Sequence, residues 1–258
     1  MIIAQISDTH IDLDSPNCAA RLANLEQCVA DINRLDPLPD VVIHTGDMAH
    51  DGTPEDYAAV KPVLDALRCP LYVAAGNRDD RAALRAAFPV GRDLLPGTPF
   101  LHYSVDTFPV RLIAVDTLSD HGNQGDFCRV RSDGLRAALA EDPSKPTVVF
   151  MHHPPFEVTE SDYPHQFDPW EAVAEVGRAL EGQTHVVAVF CGHAHRDAPG
   201  EIAGVPVAST PSVAVDLRLG DYPPEVEAVP LYKIHRFDGQ RFVGEVRAVR
   251  EREALAAK

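Results

Sequence analysis

Six short runs dominated by apolar and β-branched residues constrain this chain more than any other feature: MIIAQIS (1–7), DVVIHTG (40–46), PLYVAAG (70–76), VRLIAVD (110–116), TVVFMHH (147–153) and HVVAVFCG (185–192). They are long enough for strands and too short for most helices. Their continuous apolar character suits strands covered on both faces. Between them AARLANLEQCVADINRL (19–35) and TPEDYAAVKPVLDALR (53–68) carry helical spacing, and DPWEAVAEVGRALEG (168–182) offers Asp168 as N-cap, Pro169 at the first turn and Gly182 as a stop. This alternation predicts an α/β fold. After His195 the texture changes to short strand-like pieces, GEIAGVPVAST, VPLYKIHRF and RFVGEVRAV, with turn signals at Ala203-Gly204 and Asp238-Gly239. With 258 residues, 45% of them hydrophobic, the chain can bury one large core, so we expect a single domain over 1–258 whose β-rich part begins at about residue 199. The tail REREALAAK reads as a solvated helical end.

Nearly every one of these runs ends in a side chain of a metal-binding type. The first delivers Asp8 and His10 in SDTH, the second Asp47 in TGDMAHDG, the third Asn77 in AGNRDD, and later ones His152 in MHHPP and the pair His193 and His195 in CGHAH. Ligand sites of α/β sheets form at the carboxyl ends of strands, so these donors are expected at one sheet edge. In D-x-H and H-x-H, residues two apart project to the same side and reach a shared ion or two adjacent ones. Gly46, Gly76 and Gly192 precede donors where the chain must bend and let backbone come close. Seven donors exceed what one catalytic ion with an open position accepts, and suit two ions bridged by a carboxylate, for which Asp47 is the natural choice. Imidazole, carboxylate and amide without thiolate suit Mn, Fe, Zn or Co and do not separate them. Taken singly, GD or GNRD is an ordinary turn; five motifs in this order at strand ends are not.

Charge narrows the partners. Lys plus Arg number 23 against 39 Asp plus Glu, a net charge of −16, which repels a nucleic-acid polymer. No apolar run reaches the roughly 18 residues of a membrane span, and the first residues do not read as a signal peptide. Cys18, Cys28, Cys69, Cys128 and Cys191 are scattered without a CxxC pair, as free thiols in a reducing compartment would be. A cytoplasmic protein is expected, with no membrane partner, and a homo-oligomer stays open.

The ordered set ISDTH, TGDMAHDGTPEDY, GNRDD, MHHPPF and CGHAHR resembles the calcineurin-like metallophosphoesterases, from about Ile2 to His195. Within them it is most similar to class III cyclic-nucleotide phosphodiesterases and the related bacterial glycerophosphodiesterases. The resemblance implies two facing mixed β-sheets flanked by helices, a four-layer sandwich. It also implies one ion held by Asp8, His10, Asp47 and His195 and another by Asp47, Asn77, His152 and His193. The implied activity is hydrolysis of a small phosphodiester, of 3′,5′-cyclic-nucleotide or glycerophosphodiester type, by a hydroxide bridging the ions, with Asn77, Arg78 and His153 as further catalytic candidates. The pattern departs at Arg78, where the subgroup usually has a histidine that contacts phosphate or assists leaving-group protonation. Arginine stays protonated, so it cannot do the latter, but it can hold phosphate oxygens. Protonation would then fall to His153, His193 or water. Arginine at this position is also similar to the lipid A pathway pyrophosphatases that cleave a UDP-sugar lipid, although no obvious apolar lid for acyl chains is present. A non-catalytic scaffold is the remaining alternative, against which stand all seven retained donors. His44 and His185 read as structural, His50, Tyr163, His165 and Phe167 as loop residues that are candidates for bordering the substrate, and Cys191 as an inert small hydrophobe.

Overall fold

A computed structural model describes residues 1–88 and 90–250; the expectation for the tail lies outside them. In chain order the elements are β1 (Ile2–Ile6), α1 (Cys18–Ile32), β2 (Val41–His44), α2 (Pro54–Asp65), β3 (Leu71–Val73), α3 (Arg81–Ala87), β4 (Arg92–Asp93), β5 (Tyr103–Val105), β6 (Arg111–Ala114), α4 (Arg129–Glu141), β7 (Thr147–Phe150), α5 (Val173–Leu180), β8 (Val186–Cys191), β9 (Pro199–Ile202), β10 (Val205–Ser209), α6 (Pro224–Glu227), β11 (Leu231–Phe237) and β12 (Phe242–Ala248). They form two mixed sheets, ordered β12-β11-β1-β2-β3 and β4-β5-β6-β7-β8-β10-β9.

The continuous apolar runs follow from burial on both sides. In the second sheet Leu112, Ala114, Val148 and Phe150 join a core shared with Ile3, Ile6, Val42 and Ile43 of the first. Their neighbours Ile113 and Val149 point the other way, onto Leu135 and Leu139 of α4 and Val176 and Leu180 of α5. Leu25, Val29 and Ile32 of α1 and Tyr57, Val60 and Leu64 of α2 cover the first sheet. The layers are therefore helix, sheet, sheet, helix, and each large side chain so buried contributes about 1.5–3 kcal/mol.

Parallel pairing aligns the carboxyl ends. β1, β2 and β3 run parallel, as do β6, β7, β8 and β10. The two edges are stitched together by His152 Nδ1 donating to Thr45 O (2.7 Å) and by the Gln5 amide donating to Cys191 O (2.8 Å). The N-terminal and C-terminal stretches share one sheet, since β11 lies antiparallel against β1.

Two local expectations need correction. Asp168 does not cap a helix: its N–H donates to Gly125 O (3.0 Å), and a bridge between Gly125 and Phe167 keeps the chain extended there. Helical geometry starts as a 3-10 turn at Trp170–Ala172 and becomes α5 at Val173, while Gly182, at φ 74°, ends it as expected. β4, β5 and α4 arise outside the runs quoted above.

Candidate metal centre

Local backbone geometry marks the site before any side chain is considered. Six non-glycine residues have positive φ among the described residues, and five of them are expected donors: Asp8 (56°), His10 (45°), Asp47 (53°), His193 (63°) and His195 (53°). Each such conformation costs on the order of 1 kcal/mol and persists only where the surroundings impose it. Here Asp8 N donates to Gly46 O and His10 N to Asp47 O, both at 3.0 Å. Ser212 Oγ donates to Asp8 O (2.8 Å), and Arg21, paired with Asp216, donates to His10 O (2.8 Å). Close approach makes Gly76 obligatory, because a Cβ there would lie 2.2 Å from Asp47 Oδ1.

All seven side chains converge. His10 Nε2 lies 3.2 Å from His195 Nε2, and Asp8 Oδ1 lies 3.3 Å from the latter. His152 Nε2 lies 3.0 Å from Asn77 Oδ1 and 3.2 Å from His193 Nδ1. Asp47 stands between the groups: Oδ2 is 3.5 Å from His10 Nε2 and Oδ1 is 3.4 Å from His152 Nε2. Donors bound to one cation at about 2.1 Å lie roughly 3.0–3.4 Å apart, so these spacings fit two neighbouring cations. The tautomers agree, because His152 Nδ1 donates to Thr45 O (2.7 Å) and His195 Nδ1 to Leu217 O (2.8 Å), which turns each Nε2 lone pair inward.

The electrostatics call for positive charge at the same point. Burial pushes the Asp47 carboxyl up, but the His152 and His10 imidazoles and the Arg78 N–H, donating at 2.8 Å, hold it well below the usual carboxylate range. Burial pushes His152 down, yet Asp47 outweighs it and lifts the imidazole to about 9. Asp8 settles near about 2, burial opposing and His195 lowering it.

Beyond this floor lies a cavity of about 520 Å³, lined by His10, Asp47, Asn77, His193 and His195 below and by Asn123, Tyr163, His165 and Gln166 above. Arg78 lines it too, and among the described residues its guanidinium makes no hydrogen bond or ion pair within the chain. The neighbouring carboxylates are engaged elsewhere: Asp79 accepts from Gly76 N (2.9 Å), Met48 N (3.2 Å), Ala49 N (3.2 Å) and Tyr57 OH (2.9 Å), and Asp80 caps α3 through Ala83 N (2.8 Å).

Other expected residues separate. His153 is buried with both ring nitrogens engaged, Nδ1 with Thr117 Oγ1 (2.8 Å) and Nε2 with Asn123 O (3.0 Å), so it has none free toward the cavity. Phe167 is buried against His153 rather than at the wall. His50 supports His10, Nδ1 to Nδ1 at 3.3 Å. His44 is buried beside Thr9 (3.3 Å), and Tyr163 and His165 do border the cavity. Sequence reading missed Asn123, Gln124, Ser161, Gln166 and Leu219 as wall residues and Asp79 as the clamp between two loops. Only the polar run HGNQGD hinted at any of them.

The profile of the calcineurin-like phosphoesterases matches residues 1–197, a stretch that holds all seven donors. The chain belongs to the calcineurin-like phosphoesterases. A glycerophosphodiester phosphodiesterase of Enterobacter lignolyticus is 33% identical over 221 residues, 82% of this phosphoesterase and 77% of the relative. A probable cyclic nucleotide phosphodiesterase of Rhodopseudomonas palustris is 34% identical over 192 residues, 70% and 66% of the two chains. The fold of this phosphoesterase is shared with TT1561 of Thermus thermophilus, at TM-score 0.61 and 16% identity over 96% and 99% of the chains.

Proposed function

We propose that this phosphoesterase hydrolyses small phosphodiesters, of glycerophosphodiester or 3′,5′-cyclic-nucleotide type, with two divalent cations. The observation that carries the reading is the division of Asp47, whose two oxygens face the two donor groups separately. Asp8, His10, Asp47 and His195 hold one cation, and Asp47, Asn77, His152 and His193 the other, Mn, Fe, Zn and Co being the candidates. Bound there, the pair lowers the pKa of water and offsets phosphate charge. Arg78 takes a non-bridging phosphate oxygen, and its planar fork fits that task better than a point charge would. Among the described residues the lining side chains are mostly polar or charged, Ala194 and Leu219 being the aliphatic ones, which favours a small polar substrate over a lipid-bearing pyrophosphate. The shared sheet supports one domain across the chain, and the free cysteines support a reducing, cytoplasmic setting.

Hydrolysis of bis(p-nitrophenyl) phosphate and p-nitrophenyl phosphate with added Mn²⁺ tests this. Diester turnover should exceed monoester turnover and vanish on chelation, because a dianionic monoester is the poorer electrophile. Preference for the monoester would remove the phosphodiesterase reading, and undiminished activity after complete metal removal would remove the metal centre. A panel of glycerophosphodiesters, cyclic nucleotides and a UDP-sugar lipid then separates the substrate classes.

A further inference from the structure

We propose that His165, held by Glu157 and Trp170, is the acid that protonates the leaving alcohol. The inference rests on the phosphodiesterase reading above and supplies a group that reading lacks. Arg78 occupies the cavity without a proton to give, His153 has both nitrogens engaged, and His193 is one of the converging donors. An alkoxide leaves poorly unless it is protonated as the bond breaks, so an enzyme acting on alkyl esters gains from a positioned acid.

His165 lines the same cavity. Its Nε2 meets Glu157 Oε1 at 3.2 Å, and among the described residues its Nδ1 has no partner within the chain. The carboxylate orients the ring. One ring face stacks on Trp170, centroids 4.5 Å apart and planes 16° from parallel, which fixes the tilt of Nδ1 and adds a cation–π contribution when the ring is charged. The loop carrying it is tied down by Val158 N to Pro164 O (3.0 Å), Gly125 N to Gln166 O (2.8 Å) and Arg196 donating to Glu160 O (2.6 Å). Charged or titratable groups sharing the cavity with His165 are Arg78, Tyr163, Asp47, His10, His193 and His195, with Glu157 alone paired to it.

The step balances as follows. A hydroxide oxygen bonds to phosphorus while the bond from phosphorus to the leaving oxygen breaks. The leaving oxygen keeps the electron pair and takes the Nδ1 proton of His165. A phosphate monoester and an alcohol depart, and the imidazole regains a proton from solvent.

p-Nitrophenolate is stable as an anion and needs no acid, so leaving-group identity separates an acid from a mere wall residue. With glycerophosphoethanolamine as the dialkyl probe, His165→Gln should lower kcat/KM by about 10²-fold or more. With bis(p-nitrophenyl) phosphate the loss should stay within about threefold, since a positioned acid adds little to a leaving group that departs as the anion. Glu157→Gln, which frees the ring to turn, should shift the ratio of the two rates in the same direction as His165→Gln, by less. Tyr163→Phe should leave the ratio in place, excluding the phenol as donor. Equal losses on the two esters in His165→Gln would overturn the acid assignment while the phosphodiesterase reading stands. No diester turnover by the metal-loaded parent would overturn both.

Discussion

At the floor of the cavity Asp8, Asp47 and His152 are at most 2% exposed, whereas at its rim Tyr163 is 75% exposed. The floor is assembled from strand ends whose backbone is bent into the left-handed region and locked by carbonyl and amide partners from both sheets. The rim comes from two loops, around Asn123 and Tyr163, that meet through the Gly125–Phe167 bridge. The contrast teaches a division of labour. Rigid, buried groups set which reaction is possible, and loosely packed ones set which substrate arrives. Changes at the floor should therefore act on metal content and rate together, and changes at rim residues other than His165 on substrate preference alone.

Asp47 offers the sharpest way to break that division. Asp47→Asn removes the one carboxylate that faces both donor groups, and should lower both metal occupancies and cut diester turnover by about 10³-fold or more. Metal analysis beside kcat checks it; a variant holding two ions per chain with ordinary turnover would show that Asp47 is not shared. Gly76→Ala attacks the same group without touching a donor. Its Cβ would meet Asp47 N at 2.3 Å as well as Oδ1, so we expect about 1–3 kcal/mol lost from stability, a lower Tm, and weaker metal binding. An unchanged melting curve with full occupancy would mean the loop yields more readily than its hydrogen bonds imply.

Arg78 sits on the boundary between floor and rim. Arg78→Ala should reduce kcat/KM for diesters roughly ten- to a hundredfold at full metal content, the value of one charge-assisted contact. Arg78→Lys should recover part of it, because a point charge cannot reproduce the fork. A parent-like kcat/KM in Arg78→Ala would remove its phosphate role.

The same boundary divides what was legible from what was not. Donor motifs are local: D-x-H, GD, GN, HH and GHAH each follow directly on an apolar run, so a strand end and its ligand are read together. Arg78 was legible as a departure, and its lack of a carboxylate partner depended on Asp79 turning toward Met48, Ala49, Gly76 and Tyr57, which no spacing in GNRDD reveals. Adjacency to His152 suggested an active His153, and its ring does pack 4.8 Å from that of His152, but Thr117 and Asn123 from a distant loop claim its nitrogens. Leu219 reaches the wall because its N–H donates to His195 O (3.0 Å), a contact invisible in the chain. β4 is two residues long and has no pattern to find, and α4 buries Arg131 and Ser132 alongside Leu135, Ala138 and Leu139, so polar residues interrupt its apolar stripe.

The smallest effect is expected at Tyr163, and it tests the rim side of the comparison. Its ring is open to solvent, and the loop is held through the backbone, by Tyr163 N donating to Ser161 Oγ (3.2 Å) and by Gln166 donating to Tyr163 O. Tyr163→Ala thus removes little buried area, and stability should stay within about 0.5 kcal/mol of the parent. Metal content should not move, because no donor or donor partner is altered. What remains is contact between the phenol ring and the part of the substrate that projects furthest from the cations. KM should rise severalfold for diesters with a bulky or planar substituent and hardly at all for glycerophosphoethanolamine, with kcat preserved for both. Steady-state kinetics on that pair of substrates, with metal analysis of the same samples, checks it. A uniform tenfold fall in kcat, or a loss of bound metal, would mean that the phenol ring itself supports the reacting centre, and the separation of floor from rim would have to be given up.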